Sequence, residues 1–441
     1  MRVAFVHTAL PGVRFNSSVA ALSAWLKRHG HETGLLIVPE SASDDAIEHA
    51  LAGTRADVVA LSFMTCRATL ARRVAGRARR ALPSARVIAG GAHPTLYPRE
   101  TLAEHDVDAV CVGEGEEPLR RWLEDPGRAG PGILRREKLD PLERWWAPDV
   151  DALPDWDRSL FGAEHDDGNR YERAIGVPFA RGFCPYTCSF CGVDGYRRAN
   201  QQPSRGAMRM RSPGRVLQEL EALKRAGPVT FGFAAWDEIL PLRREWLAEF
   251  LPLYRERIGL PLAAHARIEQ LRPELITLLA RAGCDYLVLG IETGDEGYRA
   301  KFLDKRFTNQ EVVAAFRLLE QAGIQTFASF MIGLPFETPK MLAETVRLAQ
   351  TLRPSVLSWK FYTPERGTRL FPLLEQHGLL IDEWVDHPMG ADEPMIRLTH
   401  CTRADVDKAQ RALELLRAGS SERGSYERAV AGDDQRLEYR A

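Results

Sequence analysis

The sequence is short of net charge, of long apolar runs and of internal repeats. Its 59 Lys and Arg residues and 60 Asp and Glu residues leave a formal charge of −1, which favours neither nucleic acid nor a membrane surface as a general partner. No apolar run approaches the roughly 20 residues that a membrane-spanning helix needs. The apolar start at residues 1–7 is too short for a signal peptide. We therefore expect a globular protein with no nucleic-acid or membrane partner.

Cysteine is also scarce, with seven residues in a chain of 441. A small, odd number in so long a chain argues against a disulfide framework. Three of the seven nevertheless lie close together as Cys184, Cys188 and Cys191, with the spacing C-x3-C-x2-C. Clustered thiols need reducing conditions, so the sequence predicts a cytoplasmic protein.

The clustered cysteines predict a metal centre. A structural zinc site is closed by four ligands, usually two pairs, and no second Cys or His pair follows this loop. Three thiolates are more typical of a four-iron cluster with one iron left open, where a ligand can bind. A zinc-stabilised binding protein without catalysis remains the alternative from another functional class.

Strand and helix patterns alternate over residues 1–125 and predict a Rossmann-like, flavodoxin-type domain with a parallel sheet. Such sheets bind ligands beyond the carboxyl ends of their strands. The candidate binding residues there are His7, Gly90, Gly91, His93, Gly113 and Glu114. Residues 126–172, which include Trp145 and Trp156, are predicted to form an ordered linker because so many aromatic rings would not be left in water.

Six further strand–helix units over residues 173–372 predict a partial (β/α)6 barrel, so the overall class is α/β. Functional residues of such barrels collect at the carboxyl ends of the strands. The candidates at those ends are Asp237, Glu238, Arg267, Glu292 and Gly333. Residues 373–441 are expected to form a small C-terminal extension whose tail, from residue 418, is too polar to fold.

The cysteine loop resembles the signature of radical S-adenosylmethionine (SAM) enzymes, with Phe190 just before the last cysteine. The flanking Arg181-Gly182 and Pro185-Tyr186 are similar to the subgroup that carries an N-terminal cobalamin-binding domain. The resemblance implies that the three cysteines hold a 4Fe-4S cluster. It also implies that SAM binds the open iron and is cleaved to a 5′-deoxyadenosyl radical.

The resemblance assigns expected roles to the other candidates. Asp237 or Glu238 would contact the amino group of SAM, and Glu292 its ribose. From its charge and its place at a strand end, Arg267 is expected to pair either with the SAM carboxylate or with a surface or structural partner. Gly333 would lie on the adenine side, and residues 364–368 would form the closing loop. The N-terminal candidates would contact cobalamin. The pattern D-x-H-x-x-G, whose histidine is a lower cobalt ligand in some cobalamin proteins, is absent after His7, so the lower cobalt face is expected to be bare or water-bound.

The resemblance further implies a reaction. The expected function is methyl transfer from methylcobalamin to an unactivated carbon of a small molecule, such as a secondary metabolite. A flavodoxin or ferredoxin would supply the electron. The alternative within the family is a radical cyclase, oxidase or rearrangement enzyme without methyl transfer.

Overall fold

The computed structural model describes residues 1–8, 15–127, 130–137, 143–162, 174–182, 184–203, 208–227, 232–235, 237–381, 393–420 and 437–440. The backbone divides into two compact units. The N-terminal unit comprises Met1–Gly168, Arg198–Gln202 and Glu427–Ala441, and the C-terminal unit comprises Asn169–Arg197 and Pro203–Tyr426.

The elements alternate between strand and helix along most of the chain. Up to residue 135 they are β1 (Arg2–His7), α1 (Ser17–Arg28), β2 (Glu32–Ile37), α2 (Asp44–Thr54), β3 (Val58–Ser62), α3 (Ala68–Ala81), β4 (Arg86–Gly90), α4 (Ala92–Leu96), α5 (Pro98–Glu104), β5 (Ala109–Cys111), α6 (Glu116–Glu124) and β6 (Ile133–Arg135). From residue 174 they are β7 (Ala174–Val177), β8 (Ala180–Gly182), α7 (Gly192–Ala199), β9 (Met208–Met210), α8 (Pro213–Ala226), β10 (Gly232–Ala235), α9 (Arg244–Arg257), β11 (Leu262–Ala266), α10 (Pro273–Ala282), β12 (Cys284–Glu292), α11 (Glu296–Phe302), α12 (Asn309–Gln321), β13 (Gln325–Ile332), α13 (Pro339–Leu352), β14 (Val356–Phe361), α14 (Phe371–Gln376), α15 (Arg403–Ala418) and β15 (Glu438–Arg440).

The sheet of the N-terminal unit has the order β15-β2-β1-β3-β4-β5-β6. Its parallel strands follow the flavodoxin-type order 2-1-3-4-5, which confirms the fold predicted from the sequence. Alternate residues pack to opposite faces, so Phe5 joins one apolar cluster with α1 and α6, and Val6 joins another with α2 and α3. Helices therefore cover both faces of the sheet.

The C-terminal tail provides a strand where the sequence pattern predicted only disorder. Residues 438–440 pair antiparallel with β2, so that Tyr439 lies opposite Leu36. The ring of Tyr439 lies over Gly34, where a side chain would leave it no room. The guanidinium of Arg440 donates a hydrogen bond to the carbonyl of Phe161 at 2.6 Å. Backbone pairing at an open sheet edge, which composition does not reveal, accounts for this strand.

The C-terminal unit is built on a fully parallel sheet with the order β14-β13-β12-β11-β10-β7, as the partial (β/α)6 barrel requires. One set of alternating residues, such as Leu289 and Phe330, packs against the surrounding helices in the main apolar core. The other set forms what we call the inner face, which comprises Ala234, Ala263, Tyr286, Val288, Phe327, Ser329 and Ser358.

Local sequence explains where several of these helices begin. Ser212 caps α8 and is followed by proline at the first helical position, and Thr338 does the same for α13. Thr308 and Glu311 form a capping box at the start of α12. These caps fix the residue at which each of the three helices begins. Among the described residues, no helix combines the length and apolarity needed to cross a bilayer.

Deleting residues 437–441 should lower the midpoint of thermal unfolding. The loss of the β2 pairing and of the Tyr439 contact should cost about 1 to 2 kcal/mol, or roughly 2 to 8 °C. Differential scanning calorimetry measures the shift, with Leu415→Ala at an exposed position as the control. An unchanged midpoint would contradict a stabilising strand at this edge.

Candidate active site

The cysteine loop lies between β8 and α7. β7 ends at Val177 and β8 begins at Ala180, because Pro178 cannot donate a ladder hydrogen bond. Cys184, Cys188 and Cys191 are all partly buried. The amide of Cys191 donates to the carbonyl of Cys188 at 3.2 Å, which bends the loop back before α7.

The loop is tied to a segment just after α11. The amide of Ser189 donates to the carbonyl of Leu303 at 3.2 Å, and the hydroxyl of Thr187 donates to the Asp304 carboxylate at 2.8 Å. On the other side, the amide of Leu370 donates to the carbonyl of Ser189 at 2.9 Å. Elements far apart in sequence thus hold the thiols in place. Phe190 packs beside an apolar cluster that includes Leu303 and Leu370.

Arg267, which follows β11, contacts the loop directly. Its Nη1 atom lies 2.9 Å from Sγ of Cys188, and its guanidinium carbon lies 4.0 Å from the centre of the Tyr186 ring. Its Nε and Nη2 atoms donate to the two carboxylate oxygens of Glu269 at 3.1 and 2.5 Å. In this structure the N–H groups of Arg267 contact Glu269 and Cys188. The pairing of Arg267 with the SAM carboxylate stays a prediction.

Burial of the thiols affects how readily they ionise to hold a metal centre. Burial, with a smaller contribution from the neighbouring Cys188, raises the pKa of the Cys184 thiol to about 11 and that of the Cys191 thiol to about 12. A positively charged centre would offset this cost of forming thiolates. In the described part of the chain, no group of three His, Cys, Asp or Glu side chains converges closely enough for a single ion. Three soft thiol donors in one loop are the ligand set of a 4Fe-4S cluster with one iron left open.

The neighbouring acids Asp237 and Glu238 have different environments. The Asp237 carboxylate accepts from the amides of Phe179 at 2.7 Å and Ala180 at 2.9 Å. Burial raises its pKa to about 7, although these amides oppose the shift. Both oxygens therefore hold the chain that leads into the cysteine loop. Glu238 is exposed and close enough to Cys184 and Cys191 to raise their pKa values. Trp236 lies outside the described residues.

Glu292 ends β12 in an unusual conformation. Its φ is +72°, in the left-handed region, and the register of β12 with β13 shifts at this point. Its carboxylate Oε1 accepts from Nζ of Lys305 at 2.7 Å, and the same ammonium donates to the carbonyl of Gly290 at 2.6 Å. Both side chains are almost fully buried. Strained backbone held by surrounding contacts is typical of functional sites.

The turn after Glu292 is held by buried polar side chains. Arg299 donates to the carbonyl of Thr293 at 2.8 Å, and Asn309 donates to the carbonyl of Gly294 at 2.8 Å. The amide of Gly294 donates to the hydroxyl of Thr345 at 2.9 Å, and a side chain at position 294 would collide with the backbone of α13. The sequence candidates do not include Lys305 or Arg299, since a lone cation, on α11 for Arg299 and in the segment after α11 for Lys305, gives no such signal.

The turn after β13 contains Gly333 and a second acid that sequence reasoning missed. The Glu337 carboxylate Oε2 accepts from the amides of Gly333 at 2.7 Å and Leu334 at 3.1 Å. Glu337 is buried, and burial raises its pKa to about 8 against the opposing backbone hydrogen bonds. Gly333 has φ +71°, which only glycine adopts without strain. This turn is thus fixed by one carboxylate.

The closing loop predicted over residues 364–368 packs on the start of α7. A side chain at Gly192 would collide with the Glu365 carboxylate, and one at Gly195 would lie 2.6 Å from the carbonyl of Gly367. The two glycines therefore let this loop lie directly beside the last cysteine. In the C-terminal unit, Glu238, Arg267, Glu292 and Gly333 lie at the carboxyl ends of parallel strands, and the cysteine loop follows the short strand β8, which comes directly after parallel strand β7.

The N-terminal candidates lie at the carboxyl edge of their own sheet. His7 pairs with Ser62 at the ends of β1 and β3, the point where strand order reverses and ligands bind in this fold. Asn16 lies 3.1 Å from His7 Nδ1 and donates to the Ser62 hydroxyl at 3.4 Å. Gly90 ends β4 beside Ser62, and Gly91, with φ +95°, brings the chain against the backbone of Phe63. Residues 9–14 of the first loop lie outside the described residues.

The remaining N-terminal candidates serve partly as local supports. His93 is buried and stacks on Phe63, with ring centres 5.4 Å apart. The amide of Gly113 donates to the hydroxyl of Thr95 at 3.1 Å. The Glu114 carboxylate accepts from the amide of Ala147 at 2.9 Å, in the segment predicted as a linker. Trp156 in that segment contacts the ring of Phe15, at 5.7 Å between centres. Cofactor contacts of these residues stay predictions.

Fold and site together define an α/β protein with a doubly wound domain and a barrel that presents three thiols at its strand ends. The family model of the B12 binding domain matches residues 6–123, and that of the radical SAM superfamily matches residues 181–349. The chain belongs to the radical SAM family, in the subgroup with an N-terminal cobalamin-binding domain. It is a cobalamin-dependent radical SAM enzyme with a 4Fe-4S cluster, and this excludes the zinc-stabilised binding protein.

Individual relatives have different activities. The chain is 28% identical to the anaerobic magnesium-protoporphyrin IX monomethyl ester cyclase of Rubrivivax gelatinosus, over 84% of this chain and 69% of the relative. It is 25% identical to the bacteriochlorophyllide d C-12(1)-methyltransferase of Chlorobaculum tepidum, over 71% of this chain and 65% of the relative. The chain thus spans about two thirds of the length of these relatives.

A solved structure supports the fold over almost the whole chain. The radical SAM methyltransferase TsrM of Kitasatospora setae, solved with cobalamin and a [4Fe-4S] cluster, superposes with a TM-score of 0.69 at 15% identity. The match covers 94% of this chain and 90% of TsrM. At this level of identity the likeness concerns the fold.

Asp237→Asn should destabilise the segment at Phe179 and Ala180 that leads into the cysteine loop. The amide group keeps one acceptor, so one backbone N–H loses its partner at a cost of about 1 to 3 kcal/mol. We expect a lower midpoint of thermal unfolding and faster loss of iron from the reconstituted protein. Glu238→Gln, at the exposed neighbour, should leave the midpoint unchanged. Equal midpoints for wild type and Asp237→Asn would contradict the positioning role.

Proposed function

We propose that this enzyme transfers a methyl group to an unactivated carbon of a small-molecule substrate. The observation that carries the proposal is the presence of a B12-binding domain and a radical SAM domain in one chain. When bound, the cluster and SAM supply a 5′-deoxyadenosyl radical that removes a hydrogen atom, and cobalamin supplies the methyl group. The protein binds and orients these groups and excludes water.

In this proposal Cys184, Cys188 and Cys191 hold the cluster. Glu238 accepts from the ammonium of SAM, because it is exposed near the thiols, whereas the oxygens of Asp237 are occupied by backbone amides. Glu292 accepts from the ribose hydroxyls through the oxygen that does not face Lys305. The turn at Gly333 borders the adenine.

The substrate binds at the inner face of the barrel sheet. Tyr286, Val288 and Phe327 lie there half-buried, so they leave apolar and aromatic surface for a small organic molecule. Ser329 and Ser358 lie opposite each other in the register of β13 and β14 and supply hydroxyl groups for orientation. A secondary metabolite remains the proposed substrate class.

Cobalamin binds at the carboxyl edge of the N-terminal sheet. His7, Gly90, Gly91, His93, Gly113 and Glu114 border that edge, where Gly91 allows close approach of the backbone. A one-electron donor such as flavodoxin or ferredoxin reduces the cluster. A radical cyclase is the second candidate function, because the relative from Rubrivivax gelatinosus is a cyclase.

Methyl transfer can be tested without knowing the substrate. Protein reconstituted anaerobically with iron, sulfide and reduced cobalamin should convert methyl-labelled SAM into labelled methylcobalamin and S-adenosylhomocysteine. Cys188→Ala should abolish the reductive cleavage of SAM to 5′-deoxyadenosine, because the cluster loses a ligand. Mass spectrometry measures both products. Cleavage of SAM with no label on cobalamin would contradict methyl transfer and favour the cyclase.

Lys305→Met should weaken SAM binding. Without the buried ammonium, Glu292 loses its ion pair, and the strained turn at φ +72° loses a support. We expect the dissociation constant of SAM to rise at least tenfold, measured by equilibrium dialysis of the reconstituted protein. Lys301→Met, at an exposed position on α11, is the matched control. Wild-type affinity in Lys305→Met would contradict the role of this pair.

A further inference from the structure

We infer that Arg267 tunes the reduction potential of the cluster through a hydrogen bond to the thiolate of Cys188. The inference rests on the proposed assignment of the three cysteines to the cluster. Its geometric basis is the 2.9 Å distance from Arg267 Nη1 to Cys188 Sγ. Hydrogen bonds to ligand sulfurs are among the means by which proteins set cluster potentials.

The guanidinium is held on one edge and one face, and the backbone of Arg267 is fixed as well. Glu269 accepts from Nε and Nη2 through its two carboxylate oxygens, at 3.1 and 2.5 Å. Tyr186 lies against its flat face at 4.0 Å. The backbone amide of Arg267 donates to Gln270 Oε1 at 2.9 Å, which fixes the chain just after β11. With the paired edge and one face occupied, the remaining Nη1 edge points at the sulfur.

The site is dry enough for this hydrogen bond to matter. Arg267 is only 8% exposed, so water does not compete for its donors. A hydrogen bond between a cation and a thiolate is charge-assisted, and such bonds are roughly twice as strong as neutral ones. Cys188 is one of the three proposed cluster ligands, so the cation that contacts its sulfur lies next to the charge of the cluster.

The direction of the effect follows from charge. Reduction adds one electron to the cluster, and a nearby cation stabilises the more negative, reduced form. Arg267 therefore raises the potential, and Glu269 opposes it by partly neutralising the guanidinium. Arg267 is thus a positioning residue for the cysteine loop and an electrostatic regulator of electron entry.

Two substitutions should move the potential in opposite directions. In Arg267→Gln the cation is lost, and we expect the midpoint potential of the cluster to fall by about 59 mV, a tenfold change in the one-electron equilibrium constant. In Glu269→Gln the guanidinium is no longer neutralised, and the potential should rise. An electron paramagnetic resonance (EPR)-monitored redox titration of the full-length reconstituted protein measures both.

The controls separate tuning from folding. Arg272→Gln removes an exposed cation of the same segment and should leave the potential unchanged. Arg267→Lys keeps the charge and should restore part of the shift. If Arg267→Gln holds no cluster, Glu269→Gln and Arg267→Lys still decide the question by the sign of their shifts.

The outcomes distinguish this inference from the proposed function. Opposite shifts in Arg267→Gln and Glu269→Gln, at equal iron and sulfide content, support the tuning role. Unchanged potentials in variants with a full cluster overturn this inference and leave the proposed function intact. A wild-type protein that holds no cluster after reconstitution overturns both.

Discussion

The parallel register of the six-stranded sheet is the constraint on which the active site depends. Because all six strands run in one direction, their carboxyl ends meet at one edge of the sheet. The chain can therefore collect Arg267, Glu292 and Gly333 at one edge, and Arg267 there contacts Cys188 of the cysteine loop that follows β8. Each functional side chain belongs to its own short segment of sequence, and the pairing of the strands brings these segments close together.

The strand ends are then stabilised by buried polar groups that satisfy backbone amides and carbonyls. Asp237 accepts hydrogen bonds from the amides of Phe179 and Ala180. Lys305 donates to the carbonyl of Gly290, and Glu337 accepts from the amides of Gly333 and Leu334. Each of these groups costs free energy to bury and repays it through hydrogen bonds with fixed geometry. These hydrogen bonds hold the turns in place without a cofactor, and a preformed site favours binding since little further ordering is needed.

Much of this arrangement could be predicted from the sequence, and the failures have physical causes. The spacing of Cys184, Cys188 and Cys191 and the alternation of strands and helices are local signals, so they predicted the family and the fold. The partners of Asp237 and the pair of Glu292 with Lys305 depend on tertiary packing and could not be read locally. The strand at Glu438–Arg440 was missed because a polar tail can still pair through its backbone.

The three cysteines are proposed to hold a cluster whose open iron binds SAM. EPR spectroscopy of the reduced, anaerobically reconstituted protein, with and without SAM, can detect this binding. We expect the signal of a reduced 4Fe-4S cluster, whose g-values shift when SAM is added and which is lost in Cys188→Ala. A protein that holds no iron–sulfur cluster, or a cluster signal that SAM leaves unchanged, would contradict it.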